Sequence, residues 1–274
     1  MTGKNEKLVD IFTTDVSALK LAKFVKKPIS INAVIVPENR VNSEKVRDIF
    51  RRSQYPVRIH SKETTDLSSD VLKADYFICW FYSQILTEPL LTRYQGGGIN
   101  MHGGKIPEFR GANVLNWAIA EQEEALGVVW HLVVKEVDAG GIFCETELPI
   151  SDLDTAESMR KRTISAGIEM FPTAWKSLIE SRDPIRYPNL GKGKVWPQRK
   201  SIDGKIKQNW SQQKVSALIR AQTGNFPNAF IEIGERKIQI VSLSNNEVSG
   251  GIKYQTKNGN LIWLIPQNET SELD

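Results

Sequence analysis

The sequence predicts an α/β fold: a doubly wound, mostly parallel sheet followed by a small β-rich, barrel-like C-terminal domain. Three observations lead there. Strand-like and helix-like segments alternate through the first two thirds of the chain, a pattern that calls for parallel strands joined by crossover helices. The most apolar stretch, Tyr-Phe-Ile-Cys-Trp-Phe-Tyr at residues 76–82, reads as a strand buried on both faces, as parallel sheets require. Beyond residue 200 short alternating runs take over, with a hairpin turn between the last two, which points to a separate β unit.

Taken in order, residues 8–13 read as a short strand and 16–24 as a helix with apolar residues at helical spacing. Residues 29–36 are apolar and β-branched, and 43–52 follow as a helix whose Ser43 and Glu44 suit an N-terminus. A strand at 57–60 precedes the apolar strand at 76–82. A helix near 88–94 leads to Gly96-Gly97-Gly98 and a strand through Asn100 and His102. Next come a helix (114–121) and two strands (128–134 and 142–148). The long helix over 155–180 carries Ile168, Phe171, Trp175, Leu178 and Ile179 on one face, with Asp154 as its cap. Prolines and glycines then mark a linker. Beyond it lie a helix (212–222) and strands at 230–233, 237–243, 251–256 and 261–265, the last two joined by Asn258-Gly259. The expected division is an α/β domain over 1–183, a linker over 184–200 and a small β-rich domain over 201–274.

A chain of 274 residues can hold one sizeable α/β domain and a smaller companion. With 40% apolar and 25% charged residues, disorder is expected only at the ends, residues 1–6 and 270–274. The net charge of +4 suits an anionic small molecule without arguing for nucleic acid. Cys79 and Cys144 are too few for a disulfide framework, and no ligand cluster for a metal is visible. The first residues lack a signal peptide's apolar core and no apolar run reaches 18 residues, so a cytoplasmic location is expected.

Asn100 and His102 are two apart on one strand, so their side chains share a face. In open α/β sheets, ligands bind in the crevice beyond the strands' carboxyl ends. An amide donor beside an imidazole suits acyl transfer, where an oxyanion develops and a proton must leave the nucleophile. Asp138, in Val137-Asp138-Ala139-Gly140-Gly141, is a candidate to orient the imidazole. His131, mid-strand among apolar residues, and His60, at a strand end, are expected to have structural or surface roles rather than catalytic ones. No G-x-G-x-x-G follows the first strand, and there is no G-x-S-x-G elbow, metal-ligand spacing or P-loop.

Read together, these pieces resemble the 10-formyltetrahydrofolate-dependent formyltransferase family. Ile99-Asn100-Met101-His102, Pro107-Glu108-Phe109-Arg110-Gly111, Asn116-Trp117-Ala118-Ile119, Gly127-Val128-Val129-Trp130-His131 and Asp138-Ala139-Gly140 follow the family's order and spacing. Gln198-Arg199-Lys200-Ser201-Ile202-Asp203-Gly204, Trp210 and Pro227-Asn228-Ala229-Phe230 resemble the segment leading into its barrel-like domain. The resemblance implies a formyltransferase with 10-formyltetrahydrofolate as co-substrate and no metal. It implies that Asn100 stabilises the oxyanion, that His102 is the acid/base group, and that Asp138 tunes and orients His102. It implies folate contacts at Gln84, Ile85, Leu86, Ala112, Val134, Lys135, Glu136, Val137 and Asp138, mostly through backbone groups. Lys105, Arg110 and Trp196 are candidate acceptor contacts. Lys105 lies in Gly104-Lys105-Ile106-Pro107, where the family usually has Ser-Leu-Leu-Pro; it faces solvent, or it meets an anionic substrate or the folate tail.

Two acceptors compete. Asn116-Trp117 and residues 134–140 are more similar to the sugar formyltransferases, implying a nucleotide-linked amino sugar. The alternative is methionyl-tRNA, which would make nucleic acid a partner. From Val195 onward ten Lys/Arg face seven Asp/Glu, a weak excess for holding tRNA phosphates, so the sugar is favoured. An inactive folate- or nucleotide-binding module is the third reading, suggested by the altered loop and opposed by the intact Asn100, His102 and Asp138. No membrane partner is expected. A homodimer, through an exposed face of the C-terminal β domain, is left open.

Overall fold

The computed structural model describes residues 6–40, 42–61, 74–224 and 226–267; of the ends expected to be disordered, residues 1–5 and 270–274 lie outside these. Seven strands form the main sheet: β1 (Lys7–Thr13), β2 (Ile29–Pro37), β3 (Val57–His60), β4 (Tyr76–Trp80), β5 (Gly98–His102), and, after the short β6 (Phe109–Gly111), β7 (Ala125–Leu132) and β8 (Ile142–Pro149). Their order is β3-β2-β1-β4-β5-β7-β8. β1 runs parallel to β2 and β4, β2 to β3, and β4 to β5, while β5 and β7 are antiparallel. The sheet is therefore doubly wound and mostly parallel, with its switch point between β1 and β4.

Burial follows from the sequence pattern. All five residues of β4 are buried, as an apolar run without alternation demands. The strand stops at Trp80 because Phe81 turns to φ +47°, earlier than the expected residue 82. The helices are α1 (Ala18–Ala22), α2 (Ser43–Arg52), α3 (Glu88–Leu91), α4 (Val114–Ala120), α5 (Ala156–Ile179) and α6 (Gln212–Ala221). In α5, Phe171, Ala174, Trp175 and Leu178 are buried, and the Trp130 indole N–H of β7 donates to the Gly167 carbonyl at 2.9 Å. Asp154 does not cap this helix. Thr155 and Ser158 exchange side-chain and backbone bonds at 3.0 and 3.1 Å, a reciprocal box. Asp154 instead accepts from Ser151, from the Ser158 hydroxyl and from Arg162. No helix among the described residues is long and apolar enough to cross a membrane.

The chain divides into two compact units. The first takes in the chain up to Arg110 together with Gly127–Glu147 and Thr163–Val195. The second comprises Gly111–Leu126, Leu148–Arg162 and the chain from Trp196 onward. In the second unit β10 (Ala229–Ile233), β11 (Arg236–Ser244), β12 (Ile252–Gln255) and β13 (Leu261–Pro266) form an antiparallel sheet in the order β10-β11-β13-β12. Gln255 pairs with Leu261 across the Asn258-Gly259 turn, where φ of +81° at Gly259 suits a residue without Cβ. Asn116 of α4 donates to the Ala221 carbonyl at the end of α6 at 2.7 Å, closing a helix end. A further short strand, β9 (Lys194–Trp196), pairs with β6; neither is long enough to show a sequence pattern.

Candidate active site

β5 presents Asn100 and His102 on one face near its carboxyl end. Register sets their neighbours: Asn100 lies opposite Cys79 on β4 and opposite His131 on β7. Directly opposed residues on paired strands share a face, so His131 joins the predicted pair. Asp138 arrives from the loop after β7, in a left-handed conformation with φ +48°. Gly140 lets that loop fold back, since a Cβ there would run into the Leu132 carbonyl.

The Asp138 carboxylate stands between two imidazoles. Oδ2 is 3.4 Å from His102 Nδ1, and Oδ1 is 3.4 Å from His131 Nε2. Asn100 Nδ2 lies 3.4 Å from the same Oδ1 and 3.2 Å from His131 Nε2. His102 Nε2 meets the Phe109 carbonyl at 2.5 Å, and His131 Nδ1 meets the Leu132 carbonyl at 2.7 Å. His102 is 6% exposed and His131 2%. Asn100, His102 and Asp138 thus converge, together with a fourth polar residue that sequence reasoning had set aside as structural. Its placement depends on strand register, a long-range property that spacing does not carry. His60 is buried against Tyr82, with Nδ1 on the phenol oxygen, the rings stacked and burial holding its pKa low. Burial also raises the Cys79 thiol and pushes Cys144 up to about 11, which keeps both in the unreactive thiol form.

The remaining predicted residues separate. Arg110 is only 3% exposed. Its Nε and Nη2 donate to the Val137 carbonyl at 2.9 and 2.8 Å, and Nη2 also pairs with Glu136 at 2.9 Å. The guanidinium of Arg110 thus holds the loop that carries Asp138. Lys105 pairs with Glu147 at 3.1 Å. Leu86 packs in a core cluster with Phe12, Phe77 and Leu90, whereas Ile85 is 74% and Val134 43% exposed. Gln84 is half-buried and Val137 likewise. A Lys135–Glu88 pair at 2.7 Å links the loop after β7 to the start of α3. In the second unit, the Ala112 N–H is committed to the Trp196 carbonyl at 3.0 Å. Trp196 is half-buried with its ring 5.1 Å from that of Trp117.

The Formyl transferase family profile matches residues 31–175, a span that contains all four converging side chains. Among solved structures, WlaRD, a sugar 3N-formyl transferase solved with dTDP and 5-N-formyl-THF, is 17% identical with a TM-score of 0.72, covering 97% of this chain and 100% of that one. An N-formyltransferase from Helicobacter canadensis, solved with folinic acid and dTDP-3-aminofucose, is 18% identical with a TM-score of 0.70, covering 95% and 99%. HypX from Aquifex aeolicus, in complex with tetrahydrofolic acid, is 14% identical with a TM-score of 0.63; the match covers 94% of this chain but 43% of HypX. At such identities the structural likeness is one of fold, and the profile match over more than half the chain settles the kinship. The chain belongs to the formyl transferase family and is a transferase enzyme.

Proposed function

We propose that the enzyme moves the formyl group of 10-formyltetrahydrofolate to the amino group of a nucleotide-linked amino sugar, giving tetrahydrofolate and an N-formylated sugar nucleotide. The observation that carries this reading is the convergence of Asn100, His102 and Asp138 at the end of β5. The folate would supply a formyl group held on nitrogen. The residues present suit it: Ile85 and Val134 leave apolar side chains open on the loops after β4 and β7, as a flat ring system needs, and Gln84, Lys135, Glu136 and Val137 offer backbone groups beside them.

Asn100 donates a hydrogen bond to the carbonyl oxygen as negative charge builds on it. The Phe109 carbonyl can only accept, so His102 Nε2 in this arrangement carries a hydrogen. In the proposed step the neutral ring of His102 first takes a proton from the attacking amine, and the imidazolium so formed gives one to the departing nitrogen. Asp138 holds the other side of that ring. Lys105 belongs to the same proposal as an acceptor contact.

The amino-sugar acceptor draws support from the description of WlaRD as a sugar 3N-formyl transferase and from the dTDP-3-aminofucose in the Helicobacter canadensis enzyme. The weak basic excess from Val195 onward, ten against seven, disfavours tRNA. The test is incubation with 10-formyltetrahydrofolate and a panel of amino-sugar nucleotides and methionyl-tRNA, with products read by mass. We expect one amino-sugar nucleotide to gain a formyl group. Formylation of the tRNA alone would overturn the acceptor.

A further inference from the structure

We infer that His131 is a positioning residue for Asn100, fixing which way round the carboxamide lies and where its second N–H points. This rests on the role proposed above for Asn100 as donor to the reacting carbonyl oxygen.

The chemistry of the contacts decides the amide's orientation. The Leu132 carbonyl 2.7 Å from His131 Nδ1 can only accept, so Nδ1 carries the hydrogen. In the neutral ring Nε2 is then bare and needs a donor. The group facing it, 3.2 Å away, is Asn100, and only the Nδ2 end of that amide can donate. The reverse orientation would bring the amide oxygen against a bare ring nitrogen and a carboxylate oxygen, three acceptors with no hydrogen between them, beside a ring 2% and a carboxylate 10% exposed, where that is costly.

Geometry then aims the remaining hydrogen. Asn100 Nδ2, His131 Nε2 and Asp138 Oδ1 are separated by 3.2, 3.4 and 3.4 Å. These distances form a nearly equilateral triangle, so by the cosine rule the two acceptors subtend about 60° at Nδ2. The two N–H bonds of a planar amide diverge by about 120°. One hydrogen therefore serves both acceptors, and the second points away from both, where a carbonyl oxygen can take it. Without Nε2 the shared hydrogen would swing fully onto Oδ1. That turns the amide by roughly half the subtended angle and takes the second N–H off its target, since hydrogen bonds weaken as they bend.

Three measurements test this. In ¹⁵N-histidine spectra of the wild-type protein at neutral pH, His131 should show the tautomer protonated on Nδ1; a ring protonated on Nε2, alone or with Nδ1, overturns the inference without reference to activity. His131→Phe, which keeps a ring and removes the acceptor, should lower kcat by at least roughly 10-fold with KM for both substrates within about twofold, and His131→Gln should recover part of the loss. In an Asn100→Ala background His131→Phe should cost less than about twofold more. An undiminished cost there, or normal kcat for His131→Phe beside a crippled Asn100→Ala enzyme, overturns the role of His131 alone. Normal turnover in Asn100→Ala itself overturns the Asn100 role on which this rests.

Discussion

The two oxygens of Asp138 serve different partners: Oδ1 faces the Asn100 amide and the His131 ring, Oδ2 the His102 ring. Replacing Asp138 by Asn keeps the volume but puts an NH₂ where one of those acceptors was. We expect kcat to fall roughly 100-fold or more while the unfolding midpoint barely moves; unchanged turnover would reduce Asp138 to a turn residue. Lys105→Ala should raise KM for the acceptor or the folate if the lysine touches either, and an unaltered KM for both would leave it only its partnership with Glu147. Asn100, His102 and Asp138 were legible in the sequence because two-residue spacing on a strand fixes a shared face and a run of small residues permits a tight loop. His131 and Arg110 were not. The place of the first is set by the pairing of β5 with β7. The second turns inward because two donors find the Val137 carbonyl, and neither fact is local.

The loop between β7 and β8 depends on such a tether. Asp138 sits at φ +48°, a conformation that costs a non-glycine residue about 1–3 kcal/mol and persists only when its surroundings enforce it. Arg110 supplies that enforcement through Val137 and Glu136. We expect Arg110→Met to leave the half-buried Val137 carbonyl short of donors, destabilising the fold by about 1–3 kcal/mol. It should also lower kcat as Asp138 relaxes, measured by denaturant unfolding and steady-state kinetics; full activity in a destabilised protein would show that the loop holds itself. Elements with strong periodicity, such as β2, α2 and α5, were readable to within a few residues, and Asn258-Gly259 announced its turn. β6 and β9 escaped notice because three residues cannot display a period, and the cap of α5 was misplaced by one residue because Asp154 finds better partners in Ser151 and Arg162.

Alternation of elements was enough to imply a doubly wound sheet, whereas the strand order and the antiparallel β7 come from contacts far apart in the chain. One consequence for the protein's stability was equally hidden. Asp10 on β1 is fully buried, accepting from Asn32 at 2.8 Å and Tyr94 at 3.0 Å. Desolvation outweighs those bonds and raises its carboxyl from 3.8 to about 6. The native state therefore holds this proton more tightly than the unfolded chain, and the contribution is full below the ordinary value. As pH climbs from there to about 6 it is lost, a fall of about 3 kcal/mol. Asp10→Asn should flatten that dependence in denaturant titrations across the window, and an unchanged slope would show that Asp10 ionises freely in the native state.

The decisive experiment is the rate of tetrahydrofolate release with the best acceptor for wild type, Asn100→Ala and His102→Ala, each checked for native folding. We expect wild-type turnover and losses of roughly 1000-fold in both variants, since each removes a group that the proposed mechanism sets on the reacting carbonyl or its proton. Near-normal release from either folded variant would contradict formyl transfer at this cluster.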